Sequence, residues 1–101
     1  MNKLIGAMVV VAISAAGSQV IAAGDAAAGK DKAATCSGCH GANGVSSNDL
    51  WPNLAGQKAG YLTKQIKAFR DGQRSDSMMS SMVQSLSDQD AENLAAYFSG
   101  L

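Results

Sequence analysis

The chain has one proline, one histidine, one tryptophan and two cysteines in 101 residues, and no excess of either charge. Each scarcity excludes something. Eight Lys plus Arg balance eight Asp plus Glu, which argues against a nucleic-acid binder, whose basic surplus is its electrostatic footprint. The same balance leaves a weak overall field, so any steering of a partner must come from local patches. One histidine and two cysteines cannot supply the four ligands of a structural zinc site, which usually come as two separated pairs. No stretch of the mature chain alternates apolar and polar residues as a half-buried strand does. Aromatics make up only 5% of residues, too few large side chains for a comfortable core in so short a chain.

The apolar fraction of 47% is inflated by the start of the chain. Lys3 is followed by an apolar run from Leu4 to Ile13, and small residues then lead to Val20-Ile21-Ala22-Ala23. That is the three-part pattern of a secretory signal. The run is shorter than the roughly 20 residues needed to span a bilayer, so cleavage is favoured over a retained anchor. Val20 and Ala22 suit the −3 and −1 positions, making 1–22 a cleaved leader and 23–101 the functional domain; cleavage after Ala23 fits nearly as well. The protein is expected to be exported and soluble. Without Lys3, seven Lys plus Arg face eight Asp plus Glu. A mature domain of this size usually needs a staple such as a disulfide, a metal or an oligomer.

Both cysteines and the histidine fall in one pentapeptide, Cys36-Ser37-Gly38-Cys39-His40. C-x-x-C-H is the attachment signature of a c-type haem. Two thiols two residues apart can reach two vinyl groups on adjacent edges of one porphyrin. The histidine that follows then lies under the iron, and Ser37 and Gly38 are small enough to let the backbone approach the ring. A redox dithiol would want a βαβ pattern around it. A disulfide over so short a loop would constrain the unfolded chain little.

Iron that transfers electrons wants a sixth ligand, and with no second histidine the choices are Met, Lys or an open position. The mature chain has three methionines, Met78, Met79 and Met82, all in the Ser-rich stretch Ser77–Met82. Core filler is the ordinary use of Met, but serine-rich polar surroundings suit a core face poorly.

Three helices are expected. The first runs from about Asp25 to Thr35 and delivers Cys36, with Gly29 and Ala33 forming a smooth face. The second covers about Lys58 to Asp71, with Leu62, Ile66 and Phe69 on one side and Gly72 as its C-terminal cap. Lys64, Lys67, Arg70 and Arg74 lie away from that side; a solvated face is the ordinary reading and a docking patch the sharper one. The third begins at Ser87, capped with Asp90 three residues on, presents Ala91, Leu94, Ala95 and Phe98, and ends at Gly100. The small face of the first helix and the Leu94/Phe98 face of the last are expected to meet. Between His40 and Lys58 a loop, Gly41 to Gln57, carries Trp51-Pro52-Asn53-Leu54 and suits wrapping a ligand. A ligating histidine needs an acceptor for its other ring nitrogen, and the carbonyl of Pro52, aimed by a rigid φ, is the choice.

The order C-x-x-C-H, a proline twelve residues after the histidine, then a Met-bearing loop before a final amphipathic helix resembles class I c-type cytochromes. Within them, Trp51–Gln57, Tyr61-Leu62, Lys64-Gln65, Phe69–Arg74, Leu86–Asp90 and Ala95–Phe98 resemble the small bacterial periplasmic carriers of the c-553 kind. These are monohaem proteins or single halves of dihaem ones. The resemblance extends from Gly24 to Gly100. It implies an all-α class I fold, with three to four helices wrapped around one covalent haem c and its iron. It further implies thioether links at Cys36 and Cys39, His40 as proximal ligand, Pro52 orienting it and Leu54 packing on the ring. The distal methionine in this family usually lies seven residues before the Leu that precedes the Ser-Asp cap, which ranks Met79 first, Met82 second and Met78 third. Arg74, Gln57 or Trp51 would bond a propionate. Ala33 or Ala34 stands where larger relatives carry an aromatic.

The function so implied is one-electron transfer between respiratory or photosynthetic redox partners, without turnover of its own. The partners would be membrane or soluble redox proteins (an oxidase, reductase or dehydrogenase), with no nucleic acid and no small-molecule substrate. Nothing in the sequence requires more than a monomer. Two other classes compete: a five-coordinate gas sensor or peroxidase-like enzyme, and a tightly bound subunit of a larger dehydrogenase or oxidase. A peroxidase would want a distal acid–base residue, usually His, and none remains after His40.

Overall fold

A computed structural model describes residues 24–101 and the isolated Gly6. The expected leader, apart from Gly6, and its expected cleavage site lie outside the described residues. Five helices and no strands occur among the described residues: α1 (Ala26–Lys32), α2 (Ala34–His40), α3 (Ala59–Asp71), α4 (Met79–Met82) and α5 (Asp88–Ser99). No helix among them is long and apolar enough to cross a membrane.

Asp25 starts α1, its carboxylate accepting from the N–H groups of Ala27 at 2.9 Å and Ala28 at 3.3 Å, which satisfies donors that have no helical partner. The expected first helix continues further than its apolar pattern suggests, to His40, but it is broken at Ala33. The Ala33 carbonyl accepts from Cys36 N at 2.9 Å, from Ser37 N at 3.0 Å and from the Ser37 hydroxyl at 3.0 Å. One of those is a tightened i to i+3 bond, which interrupts the helix between α1 and α2, and α2 places both cysteines on the interior cavity.

α3 starts one residue after Lys58 and stops at Gly72, whose φ of 86° places it in the left-handed region. Leu62 and Phe69 are buried and Ile66 is partly so. α5 carries a complete capping box: Asp90 N donates to the Ser87 hydroxyl and Ser87 N to the Asp90 carboxylate, both at 3.0 Å. Ala91, Leu94, Ala95 and Phe98 are all buried, as their spacing predicts.

The core is small: Ala33, Leu62, Leu94, Ala95 and Phe98, with Cys36, Leu54, Ile66, Leu86 and Tyr97 packed on it. α5 is its spine, with α1 and α3 against it. Gly29 faces the backbone of Asn93, and Ala33 is 1% exposed. The alanine that stands in place of an aromatic therefore does not loosen the contact. It allows the backbones to approach, and dispersion over the shared surface replaces the ring. Asn93, a buried polar residue, accepts through Oδ1 from Asp25 N and from the Gln89 side-chain amide, both at 2.8 Å.

The basic run on and just after α3 is paired in part. Lys67 pairs with Glu92 at 4.0 Å, and Arg70 with Asp71 and Asp88 at 2.8 Å each. Arg74 donates to Gln65 Oε1 at 2.8 Å and lies over the Phe69 ring, 4.5 Å from its centroid. Lys64 is exposed and the contacts of Arg74 are uncharged, so acidic partners within the chain match only Lys67 and Arg70 of this run.

Candidate functional site

α2 is a short helix whose last residue is His40, and it carries Cys36 and Cys39 at i and i+3, the spacing that shares a face. Gly41 ends it with φ at 88°, and a Cβ there would lie 2.0 Å from the Val45 carbonyl oxygen. Only glycine permits that turn, and the turn sends the following loop back over His40.

The return brings Pro52 to the histidine. His40 is 6% exposed and its Nδ1 lies 2.7 Å from the Pro52 carbonyl oxygen. A carbonyl can only accept, so Nδ1 carries the proton and Nε2 keeps its lone pair. The ring thus presents the tautomer that a metal needs. The loop itself is held at Gly44, whose carbonyl accepts from Leu54 N and Ala55 N at 2.8 and 3.0 Å. It is also tied to α5 by Gly56 N donating to Phe98 O at 3.0 Å.

The Met-bearing stretch is a one-turn helix where a polar loop is expected. Asp76, which the sequence reading passes over, is the cause. Its Oδ1 accepts from Met78 N and Met79 N at 2.9 Å each, and its carbonyl accepts from Ser80 N at 2.9 Å. These bonds, that from Met79 above all, hold its carboxyl below the usual carboxylate range. An Asp three residues before Met79 is the capping signal that could have revealed the turn.

Cys36, Cys39, His40, Trp51, Pro52 and Leu54 line one cavity of about 530 Å³ together with Met78, Met79 and Met82. Leu62, Ile66, Phe69, Leu94 and Phe98 supply apolar lining, and Gln57 and Arg74 also reach it. Every site residue singled out in the sequence therefore borders the same space. The Gln57 side-chain oxygen Oε1 also accepts from Lys58 N at 2.9 Å. Both cysteines are free and partly buried. Burial pushes the Cys36 thiol up, a hydrogen bond with Thr35 opposes this, and Cys39 adds to it. A larger groove of about 890 Å³ runs between α3 and α5, past Ala59, Thr63, Lys67, Glu92 and Ala96, and is lined by none of the candidate haem-site residues.

Two thiols and an imidazole on one short helix, thioethers on another, and apolar walls between them fit a haem joined through sulfur. Comparison with known proteins agrees, since the Cytochrome c family matches residues 22–101.

The chain belongs to the cytochrome c family.

Cytochrome c-554(548) of Halomonas halodenitrificans is 52% identical over 80 residues, covering 76% of this chain and 96% of that protein. Cytochrome c4 of Pseudomonas aeruginosa is 52% identical over 77 residues, again 76% of this chain but only 38% of the relative. The crystal structure of reduced cytochrome c4 from Pseudomonas stutzeri superposes with a TM-score of 0.70 at 38% identity, covering 75% of this chain and 47% of that one. The chain thus spans nearly the whole of the c-554 relative and about two fifths of the length of the c4 relative. The fold is that of class I cytochromes c. Five helices replace the expected three to four because the first is broken at Ala33 and the methionine segment forms a turn of its own. The cofactor of this cytochrome c is a covalent haem c with its iron, and its chemistry is electron transfer.

Proposed function

We propose that this cytochrome c is a periplasmic one-electron carrier with His40 and Met79 as axial ligands, thioether-linked through Cys36 and Cys39. The observation that carries the reading is the 2.7 Å contact of His40 Nδ1 with the Pro52 carbonyl, in the cavity that Met79 also lines. The haem iron, when bound, gains and loses one electron. His40 is held in one tautomer and orientation by Pro52, which makes Nε2 the more basic donor. The Met79 thioether would be a soft ligand that favours the reduced state and raises the potential. Leu54 would pack against the bound ring, and Trp51, Gln57 and Arg74, which line the same cavity, would bond its polar substituents. Met82 is the second choice of ligand.

The carrier works as a monomer, docking on membrane or soluble redox proteins such as an oxidase, reductase or dehydrogenase, and it turns over no substrate itself. Its single histidine is occupied at Pro52, which leaves no imidazole for distal acid–base work.

Visible spectra of the exported protein, oxidised and reduced, with carbon monoxide added to the reduced sample, test this. Sharp low-spin bands indifferent to carbon monoxide are expected. A spectrum that shifts on addition of the gas would turn the function toward ligand binding.

A further inference from the structure

The segment that carries Met79 is poorly anchored by packing. α4 has four residues and none of them is buried; Met78 and Met82 are 52% and 49% exposed. A single turn does not stand on its own, and elements with few buried contacts open easily. Apart from Val83 at its C-terminal end, which is 4% exposed, the holds on it are polar, and several of them converge on one residue of α3.

Arg70 grips this segment with both its side chain and its backbone. Its guanidinium donates to the Leu86 carbonyl at 3.2 Å, pairs with Asp88 at 2.8 Å, and is steadied by two bonds to Asp71 at 2.8 and 3.0 Å. Its carbonyl belongs to the last turn of α3, where the helix offers no N–H partner. The Gln84 amide fills that place, donating to Arg70 O at 3.0 Å and to Ser80 O of α4 at 2.8 Å. One amide therefore bridges the end of α3 to the body of α4, and one guanidinium fixes the chain on the far side. The carboxylates around Arg70 strengthen its hold on its proton.

We propose that Arg70 and Gln84 are positioning residues for Met79: together they clamp α4 to the end of α3 and so set how readily the thioether leaves its place at the cavity. The proposal rests on the reading of Met79 as axial ligand.

Imidazole, titrated into the oxidised holoprotein and followed by its visible spectrum, competes for the sixth position and reads that readiness directly. A denaturant midpoint on each variant reads global stability separately. Gln84→Ala removes a donor to two carbonyls from a solvent-exposed position. It is expected to tighten apparent imidazole binding by roughly threefold to tenfold, the effect of losing one or two neutral hydrogen bonds. Arg70→Gln is expected to do more, since the bonds it loses are charge-assisted. Gln84→Lys keeps a donor for helix-end carbonyls and is expected to stay near wild type. Met79→Leu serves as reference, with imidazole binding far tighter than in any clamp variant.

A lowered midpoint with unchanged imidazole binding in Gln84→Ala and Arg70→Gln would show a merely structural role and overturn the clamp. Should those two bind as wild type while Met79→Leu binds tightly, the ligand reading survives and the clamp does not. An unaltered Met79→Leu protein would remove the ligand assignment, and the clamp with it.

Discussion

Gly29 of α1 lies so close to Asn93 of α5 that a Cβ built on the glycine would come 2.0 Å from the Asn93 carbonyl oxygen. The same Asn93 holds the start of α1 through its side chain, by the 2.8 Å bond from Asp25 N. Backbone proximity and a side-chain tether therefore act at one crossing, and that crossing sets where α2, which continues from α1, delivers Cys36, Cys39 and His40.

Gly29→Ala is expected to destabilise the protein. Alanine gains about 1 kcal/mol in helix propensity over glycine, but the obstacle is backbone, which cannot rotate aside as a side chain can. Overpacking of this kind costs about 1–3 kcal/mol, so the clash outweighs the gain. A denaturant midpoint at or above wild type would show that the helices separate freely.

Asn93→Ala leaves Asp25 N and the Gln89 amide without their shared acceptor. A loss of about 1–2 kcal/mol is expected, measured by chemical denaturation of the holoprotein. Asn93→Asp retains an acceptor and is expected to recover part of it.

Cys36→Ala combined with Cys39→Ala is expected to abolish covalent haem attachment and to strip most of the helical circular dichroism. A cavity of about 530 Å³ in a core this small cannot be left unfilled, because a chain of this size has little stability to spare. A well-folded, helical double variant would contradict this.

Acid is expected to weaken the fold in a graded way. The Asp90 carboxyl is held below the usual range, foremost by the Ser87 N–H, with the Ser87 hydroxyl and Lys32 assisting and burial opposing. Asp76 is lowered by Met79 and Met78, and Asp71 by Arg70. A depressed folded value contributes stability that is present above the unfolded value near about 3.9 and is lost as pH falls through the folded one. The denaturant midpoint should therefore decline below about pH 4, modestly because these groups are solvent-screened. Asp90→Ala should start lower at neutral pH and decline less. An equal decline in both proteins would place the acid sensitivity at other groups.

The local signals were readable in advance. Ser87 with Asp90, Gly72, and the periodic Leu94/Phe98 face announce their elements because capping and amphipathicity depend on residues within four positions of one another. Pro52 was legible for a related reason, being the chain's one proline at a fixed distance from its one histidine. The break at Ala33 was not, since it arises from three donors sharing one carbonyl. Nor was the inward turn of Arg70. Its charge reads as surface on a helical wheel, and its partners Leu86 and Asp88 lie sixteen and eighteen residues away.

The sequence alone determined the haem chemistry, the helix ends and the apolar faces, since each is written in neighbouring residues with one physical meaning. Only the tertiary structure decided how the methionine segment is tied to the end of α3, which basic side chains are paired internally, and how closely α1 approaches α5. Those outcomes depend on pairings between residues distant in the chain, where many partners are chemically acceptable and only packing selects one.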